Sequence, residues 1–223
     1  MLYKNRSWLF PLLLLVAITP FASRLDLAFA RAFYTDGQFM SGPFLSFMFD
    51  YAIFPAWSVA VLSLAVVVLS YVSSFWKKWH NVALLLVLSL VIGAGFVTHV
   101  LLKDHWGRPR PKQVIEFGGT QEFRPYYSPN FTHQPEPSKS FPCGHCSMGY
   151  YFFALVLVGR RLNSKTVVYA GWTLALGLGT LLGAVRMMQG GHFFSDVLVS
   201  AIIMWEVALA MEILAFDREK KKI

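Results

Sequence analysis

The chain has 223 residues and a formal net charge of +8, with 56% of its residues hydrophobic and only 14% charged. A soluble domain carries about a quarter charged residues, so a chain this apolar must hide its surface in lipid or in a partner, and one membrane-buried bundle is the simpler choice. The basic residues are scattered in short clusters between apolar runs, which argues against a nucleic-acid partner and for membrane topology and an anionic substrate.

A bilayer-crossing helix needs roughly 20 mostly apolar residues. Six stretches qualify approximately: Trp8–Ala22, Ala52–Phe75, Val82–Leu102, Ser147–Val158, Val167–Val185 and Phe193–Phe216, the first and fourth short as drawn, the fourth extended back to Pro142 where it lines a polar cavity. The expected fold is therefore all-α. It is a single polytopic membrane helix bundle over residues 1–223, with six transmembrane helices near 8–22, 52–75, 82–102, 142–158, 167–185 and 193–216.

The first run follows Lys4 and Arg6, as in a signal peptide. Ala28-Phe29-Ala30 resembles a cleavage site but lies beyond Arg24 and Asp26, and more spans follow, so a retained first helix is expected. Leu25–Met48 mixes apolar and aromatic residues with Asp26, Arg31 and Asp36, the pattern of an amphipathic helix lying in the interface. With six spans, Lys4 and Arg6, then Lys77 and Lys78, then Arg160, Arg161 and Lys165, then Arg218, Lys220, Lys221 and Lys222 all fall on one side. The positive-inside rule makes that side the cytoplasm, with both termini there. Trp57, Trp76, Trp79 and Trp106 fall near span ends, as an aromatic belt requires. Lys112–Ser140 is a long loop rich in Pro, Gly and Tyr, in which Arg124, His133 and Lys139 are candidate contacts for a second headgroup charge.

Three clusters on the other side carry chemistry. Lys103 to Pro111, K-D-H-W-G-R-P-R-P, offers phosphate ligands, Lys as a point charge and Arg as a planar fork. Pro142-Cys143-Gly144-His145-Cys146-Ser147 enters the fourth span, where freed backbone N–H groups point at an anion and His145 can donate a proton. Arg186 to Asp196 places His192 and Asp196 four residues apart, so that on a helix they touch and the carboxylate orients the imidazole. Each cluster alone also fits an ordinary helix flank. Together they bring cations, two histidines and a carboxylate to one membrane face, enough for phosphoryl transfer through a histidine nucleophile.

Lys103-x6-Arg110-Pro111, then Pro142-Cys143-Gly144-His145, then Arg186-x5-His192-x3-Asp196 resemble the three signatures of the type 2 phosphatidic acid phosphatase superfamily. The resemblance implies His192 as nucleophile, Asp196 as its orienting group and His145 as general acid. It implies Lys103, Arg110, Arg186 and the Gly144 and Cys143 backbone as phosphate ligands, with no metal and no cofactor. Cys143 stands where the family usually has Ser. The substrate implied is a phospholipid or glycolipid phosphate in a bacterial inner membrane, reached from the periplasmic face. Residues 106–111 and 188–197 look most like members acting on lipid A 1-phosphate, with phosphatidylglycerophosphate, undecaprenyl diphosphate and phosphatidic acid as other candidates. His99, one turn before Lys103, reads as a packing histidine with a functional question attached.

Two other classes compete. Cys143-Gly144-His145-Cys146 has the letters of a disulfide-isomerase site at a helix N-terminus, which allows a membrane thiol-disulfide oxidoreductase, or a disulfide that only tunes activity. No thioredoxin-like βαβ pattern surrounds it. Glu206 and Glu212 within the last span would suit a non-enzymatic lipid transporter. Neither reading uses the histidine pair and the phosphate-binding cations.

Overall fold

The computed structural model describes residues 6–132 and 138–216. His133, Lys4 and the basic residues Arg218, Lys220, Lys221 and Lys222 lie outside the described residues. Five helical runs within them are long and apolar enough to cross a bilayer: Leu9–Ala32, Pro43–Leu69, His80–Lys103, Lys165–Met188 and Phe194–Phe216. The first consists of α1 (Leu9–Ile18) and α2 (Ala22–Ala32), joined by a 3-10 turn at Thr19–Phe21. It runs ten residues past the expected end at Ala22. Asp26 does not stop the span because its side chain is fully buried and paired. The second run joins α3 (Pro43–Tyr51) to α4 (Phe54–Leu69) and begins at Pro43 rather than Ala52. Between α2 and α3 the chain turns at Asp36 and Gly37, both at positive φ, to pair β1 (Tyr34–Thr35) with β2 (Gln38–Phe39). An Asp-Gly pair is what a tight hairpin turn requires. The interfacial helix expected over Leu25–Met48 is thus replaced by the end of α2, a hairpin and the head of α3.

The short α5 (Ser74–Lys77) leads to α6 (His80–Leu88), which continues from Ser89 to Lys103 with the wider π winding. The fourth expected span is broken in two, α7 (Gly144–Tyr150) and α8 (Phe153–Arg161), with Tyr151 and Phe152 at the break. Neither piece is long enough alone to cross. Residues 150–154 and 156–158 are at most 5% exposed, so this column is the middle of the bundle and owes its place to packing. It packs on α9 (Lys165–Met188) through small residues: a Cβ at Gly149 would lie 2.5 Å from the Gly179 backbone, and one at Gly171 2.6 Å from the Val156 nitrogen. Close backbone approach of this kind is how helices associate in lipid. On the rim, Phe10 and Val16 of α1 and Val61 and Leu62 of α4 are exposed, which suits a lipid-facing surface.

α10 (Phe194–Phe216) starts at the end of the bundle where a second small core forms. Ala30, Val114, Phe117 and Phe193 are buried there against Leu27, Tyr34, Phe39 and Phe123. The residue that ties this end together is Arg108, which is fully buried. Its Nη2 donates to Asp26 Oδ2 at 2.6 Å, and its Nη1 to Asp196 Oδ1 at 2.5 Å and Ser195 Oγ at 2.8 Å. Nε donates to the Arg124 carbonyl at 2.8 Å, and the Phe193 ring stacks 4.5 Å from the guanidinium carbon. Asp26 also accepts the Ser195 backbone N–H at 2.7 Å. One guanidinium therefore joins α2, the loop after Lys103 and the start of α10.

Removing Arg108 leaves two buried carboxylates without their cation, which costs about 3–5 kcal/mol. Arg108→Met should accordingly lower the thermal midpoint of the detergent-solubilised chain far more than Lys139→Met, which breaks only the exposed pair with Asp104. Equal midpoints for the two variants would contradict the role of Arg108.

Candidate active site

His192 is 1% exposed and precedes α10 rather than lying on it. The expected His-Asp proximity still arises, from a different cause. Asp196 is the third residue of α10, and its Oδ2 reaches back to accept the Phe193 N–H at 2.8 Å, half of a capping box. That bond folds the turn so that His192 Nδ1 comes 3.6 Å from Asp196 Oδ2. Ser140 Oγ donates to the same oxygen at 2.6 Å, while Arg108 holds the other. Asp196 is thus fixed by three donors before the imidazole is considered. His192 Nδ1 has no hydrogen-bond partner among the described residues. Burial holds the imidazole far below the ordinary value of 6.5, at about 3; Asp196 opposes this, while Lys103 and Arg186 add to it. A neutral imidazole with its remote nitrogen free is the form that can attack.

The other expected residues gather around it. Arg186, in the last turn of α9, curls back so that its guanidinium occupies the space a Cβ on Gly191 would fill. Its Nη1 donates to Gln189 Oε1 at 2.6 Å, while its Nε is buried without a partner. Its other neighbour is Phe49 of α3, whose ring centre lies 4.7 Å from the guanidinium carbon and 4.3 Å from the stacked His145 ring. Gly144 opens α7 under two side chains of the preceding span. A Cβ there would lie 2.6 Å from His99 Nε2 and 3.2 Å from Lys103 Nζ. His99 is therefore at the site, beyond the packing role expected for it. Arg110 is half-buried, its Nε also lacking a partner. Lys103, Arg110 and Arg186 lie within Coulombic range of one another. Among the described residues none has a carboxylate at salt-bridge distance. Three mutually repelling, unpaired cations beside a neutral histidine form a seat for a polyanion.

The site departs from expectation at Cys143. Its sulfur is bonded to Cys146, both residues are fully buried, and its N–H is donated to the Asp196 carbonyl at 3.3 Å. No donor of Cys143 remains for a phosphate, so the contact expected of it is replaced by a structural one to α10. Buried sulfurs also disfavour thiol exchange, which needs an accessible thiolate. Among the loop cations, Lys139 pairs with Asp104 at 2.7 Å, and Arg124 contributes its carbonyl to Arg108. Glu212 pairs with Arg161 at 2.6 Å, while Glu206 Oε1 is buried without a partner. Arg108, in the cluster expected to offer phosphate ligands, is instead spent on Asp26, Ser195 and Asp196, and no chemical role is expected from the sequence for Asp26, Ser140, Ser195 or Phe49. Asp26 carried one legible signal, since a carboxylate in an apolar helix must find a cation.

The PAP2 superfamily model matches residues 82–220. The chain is 35% identical over 186 residues to a lipid A 4′-phosphatase of Francisella tularensis subsp. novicida, covering 81% of this chain and 82% of that one. It is 31% identical over 126 residues to a lipid A 4′-phosphatase of Rhizobium leguminosarum, covering 55% and 52%. A lipid A 4′-phosphatase of Rhizobium etli is 30% identical over the same length, covering 55% and 47%. No solved structure matches. The chain belongs to the PAP2 superfamily, the type 2 phosphatidic acid phosphatases, as a multi-helix membrane phosphatase. These relatives are named for the 4′-phosphate, not for the 1-phosphate that the sequence reading favoured.

Two outcomes follow from the geometry. A methyl group at Gly144 displaces His99 or Lys103, so Gly144→Ala should lower kcat/KM for phosphate release on the order of 10²-fold, the cost of a misplacement near 1 Å. Parental kinetics in a Gly144→Ala protein would show that the close approach is irrelevant. The second concerns acid stability. Unfolded, His192 takes up a proton below pH 6.5; folded, it does so only near 3, so its burial costs stability progressively as pH falls through that window. The loss of thermal midpoint between about pH 7 and about pH 4 should be smaller in His192→Gln than in the parent. Identical losses would refute the buried neutral imidazole.

Proposed function

We propose that this chain hydrolyses the 4′-phosphate of lipid A through a phosphohistidine on His192, without a metal. The observation that carries the chemistry is the convergence of Lys103, Arg110 and Arg186, free of carboxylates, on a buried neutral imidazole backed by Asp196. The position on the substrate rests on the 4′-phosphatase relatives. Nδ1 faces Asp196, so Nε2 is the attacking atom. The three cations hold the phosphoryl oxygens, joined by the Gly144 N–H at the head of α7.

As Nε2 bonds to phosphorus, the bond from phosphorus to the sugar oxygen breaks, and His145 gives that oxygen its proton. The dianionic phosphate supplies the negative charge that favours a protonated His145 among so many cations. Asp196 accepts a hydrogen bond from Nδ1–H of the phosphorylated ring and stabilises its charge. Water then attacks phosphorus, His145 takes back a proton, and inorganic phosphate leaves with His192 restored. The α7–α8 column serves as a sixth crossing, which puts both termini on the cytoplasmic side and the site on the periplasmic face of the inner membrane.

The test is a detergent assay on lipid A labelled at either phosphate, with phosphatidylglycerophosphate, undecaprenyl diphosphate and phosphatidic acid alongside and EDTA present. Release from the 4′ position should dominate and persist in EDTA. His192→Ala should lose roughly 10³-fold or more in kcat. A His192→Ala protein working at the parental rate would end the mechanism; preferential release from the 1 position would end only the substrate assignment.

A further inference from the structure

A cavity of about 710 Å³ opens between α1, α9 and α10, on a different face of α9 from the one bearing Arg186. Its α9 wall is Trp172, Leu176, Thr180, Ala184 and Met187, and its α10 wall runs from Phe194 to Trp205. Phe10 and Leu14 of α1 close it loosely, and no residue of α1 is buried. The groove therefore runs along the bundle as a slot of apolar side chains wide enough for a hydrocarbon chain. The few polar groups along its walls are spent locally: Thr180 donates its hydroxyl to the Leu176 carbonyl, and Trp205 Nε1 donates to the Ser7 carbonyl at 3.0 Å.

Its foot is different. Arg160, at the end of α8, lies over the Trp205 ring at 5.7 Å. Arg161 beside it is paired with Glu212, but Arg160 has no carboxylate partner among the described residues. A guanidinium at the mouth of an apolar slot is matched by an oxyanion it can bind bidentately.

We propose that this groove binds a phospholipid of net negative charge from the leaflet at the Arg160 end, one acyl chain in the slot and its phosphate on Arg160. A zwitterionic headgroup brings an ammonium toward Arg160, Arg161 and Lys165, so the negative headgroup is the complementary one. The site is separate from His192 and holds a lipid that is not the substrate.

Trp172 and Trp205 line the slot, so quenching by lipids brominated on their acyl chains reads occupancy; Trp205→Phe supplies the background from the other tryptophans. The purified full chain in mixed micelles is titrated with brominated phosphatidylglycerol or brominated phosphatidylcholine. Phosphatidylglycerol should half-quench at an about fivefold lower mole fraction, the preference expected of one basic residue near the surface. Arg160→Gln should abolish that preference and Arg160→Lys should keep most of it. Should Arg160→Gln fail to fold, Ala201→Phe, which adds a ring to the groove wall one turn from Trp205, should remove the Trp205-dependent quenching by either lipid. Equal half-quenching by the two lipids in the parent, a preference unchanged in Arg160→Gln, or Trp205-dependent quenching that persists in Ala201→Phe, would overturn the proposal. So would a dimer in which neither lipid quenches Trp205, because a second copy would then cover the groove.

Discussion

Arg108 is the constraint on which the catalytic end of the molecule depends. A guanidinium with no exposed surface, in a bundle that is mostly hydrocarbon, persists only if every N–H finds an acceptor and its charge is matched. Two carboxyl groups, Asp26 and Asp196, face one guanidinium. A buried ion pair is a weak source of stability against apolar packing, but it tolerates little displacement. The first crossing, the loop after Lys103 and the start of α10 must meet in one arrangement for the pairing to close. His192 is two residues from that junction and takes its position from it. The Asp196 carboxylate lies behind His192, 3.6 Å from its Nδ1.

The other cations divide by the same criterion. Arg108, Lys139 and Arg161 each have a carboxylate, and each joins elements of the fold. Lys103, Arg110 and Arg186 have none, and they face one another. Their mutual repulsion is held in place by aromatic and backbone contacts: Arg186 on Phe49 and against Gly191, Lys103 over Gly144. Cations held together against their own repulsion are preorganised for an anion. The disulfide belongs on the structural side of this division. It closes the turn around Gly144 and His145 while Cys143 hydrogen-bonds to α10.

What the sequence disclosed follows the range of the interaction. The three clusters were legible because each sits within a few residues of a helix end, where Pro, Gly, His and basic residues break an apolar pattern. Asp26 is legible as a carboxylate in need of a cation, but its partner is 82 residues away and leaves no local period. It was instead assigned to an interfacial helix, since a charge appeared to end the first span. The Asp36–Gly37 turn was present in the letters but was masked by the hydrophobic residues around it. Phe49, in the head of α3, carries no chemical signature at all; only the packing of α3 on α9 makes it the platform for His145 and Arg186. The fourth expected span divides into α7 and α8, whose residues are held by neighbouring helices rather than by lipid.

α9 separates two kinds of recognition. One face, ending in Arg186, supplies charge to the phosphate seat, and another, from Trp172 to Met187, supplies only hydrocarbon surface to the groove. The small residues Gly171 and Gly179 let α7 and α8 pack close to it, which fixes its rotation about its own axis. That rotation sets both faces together. A substitution that turned α9 to suit a different chain in the groove would carry the Arg186 guanidinium away from Gly191 and unstack it from Phe49. The groove along the bundle and the cation cluster at its end are therefore linked through one rigid helix, although they share no residue of it.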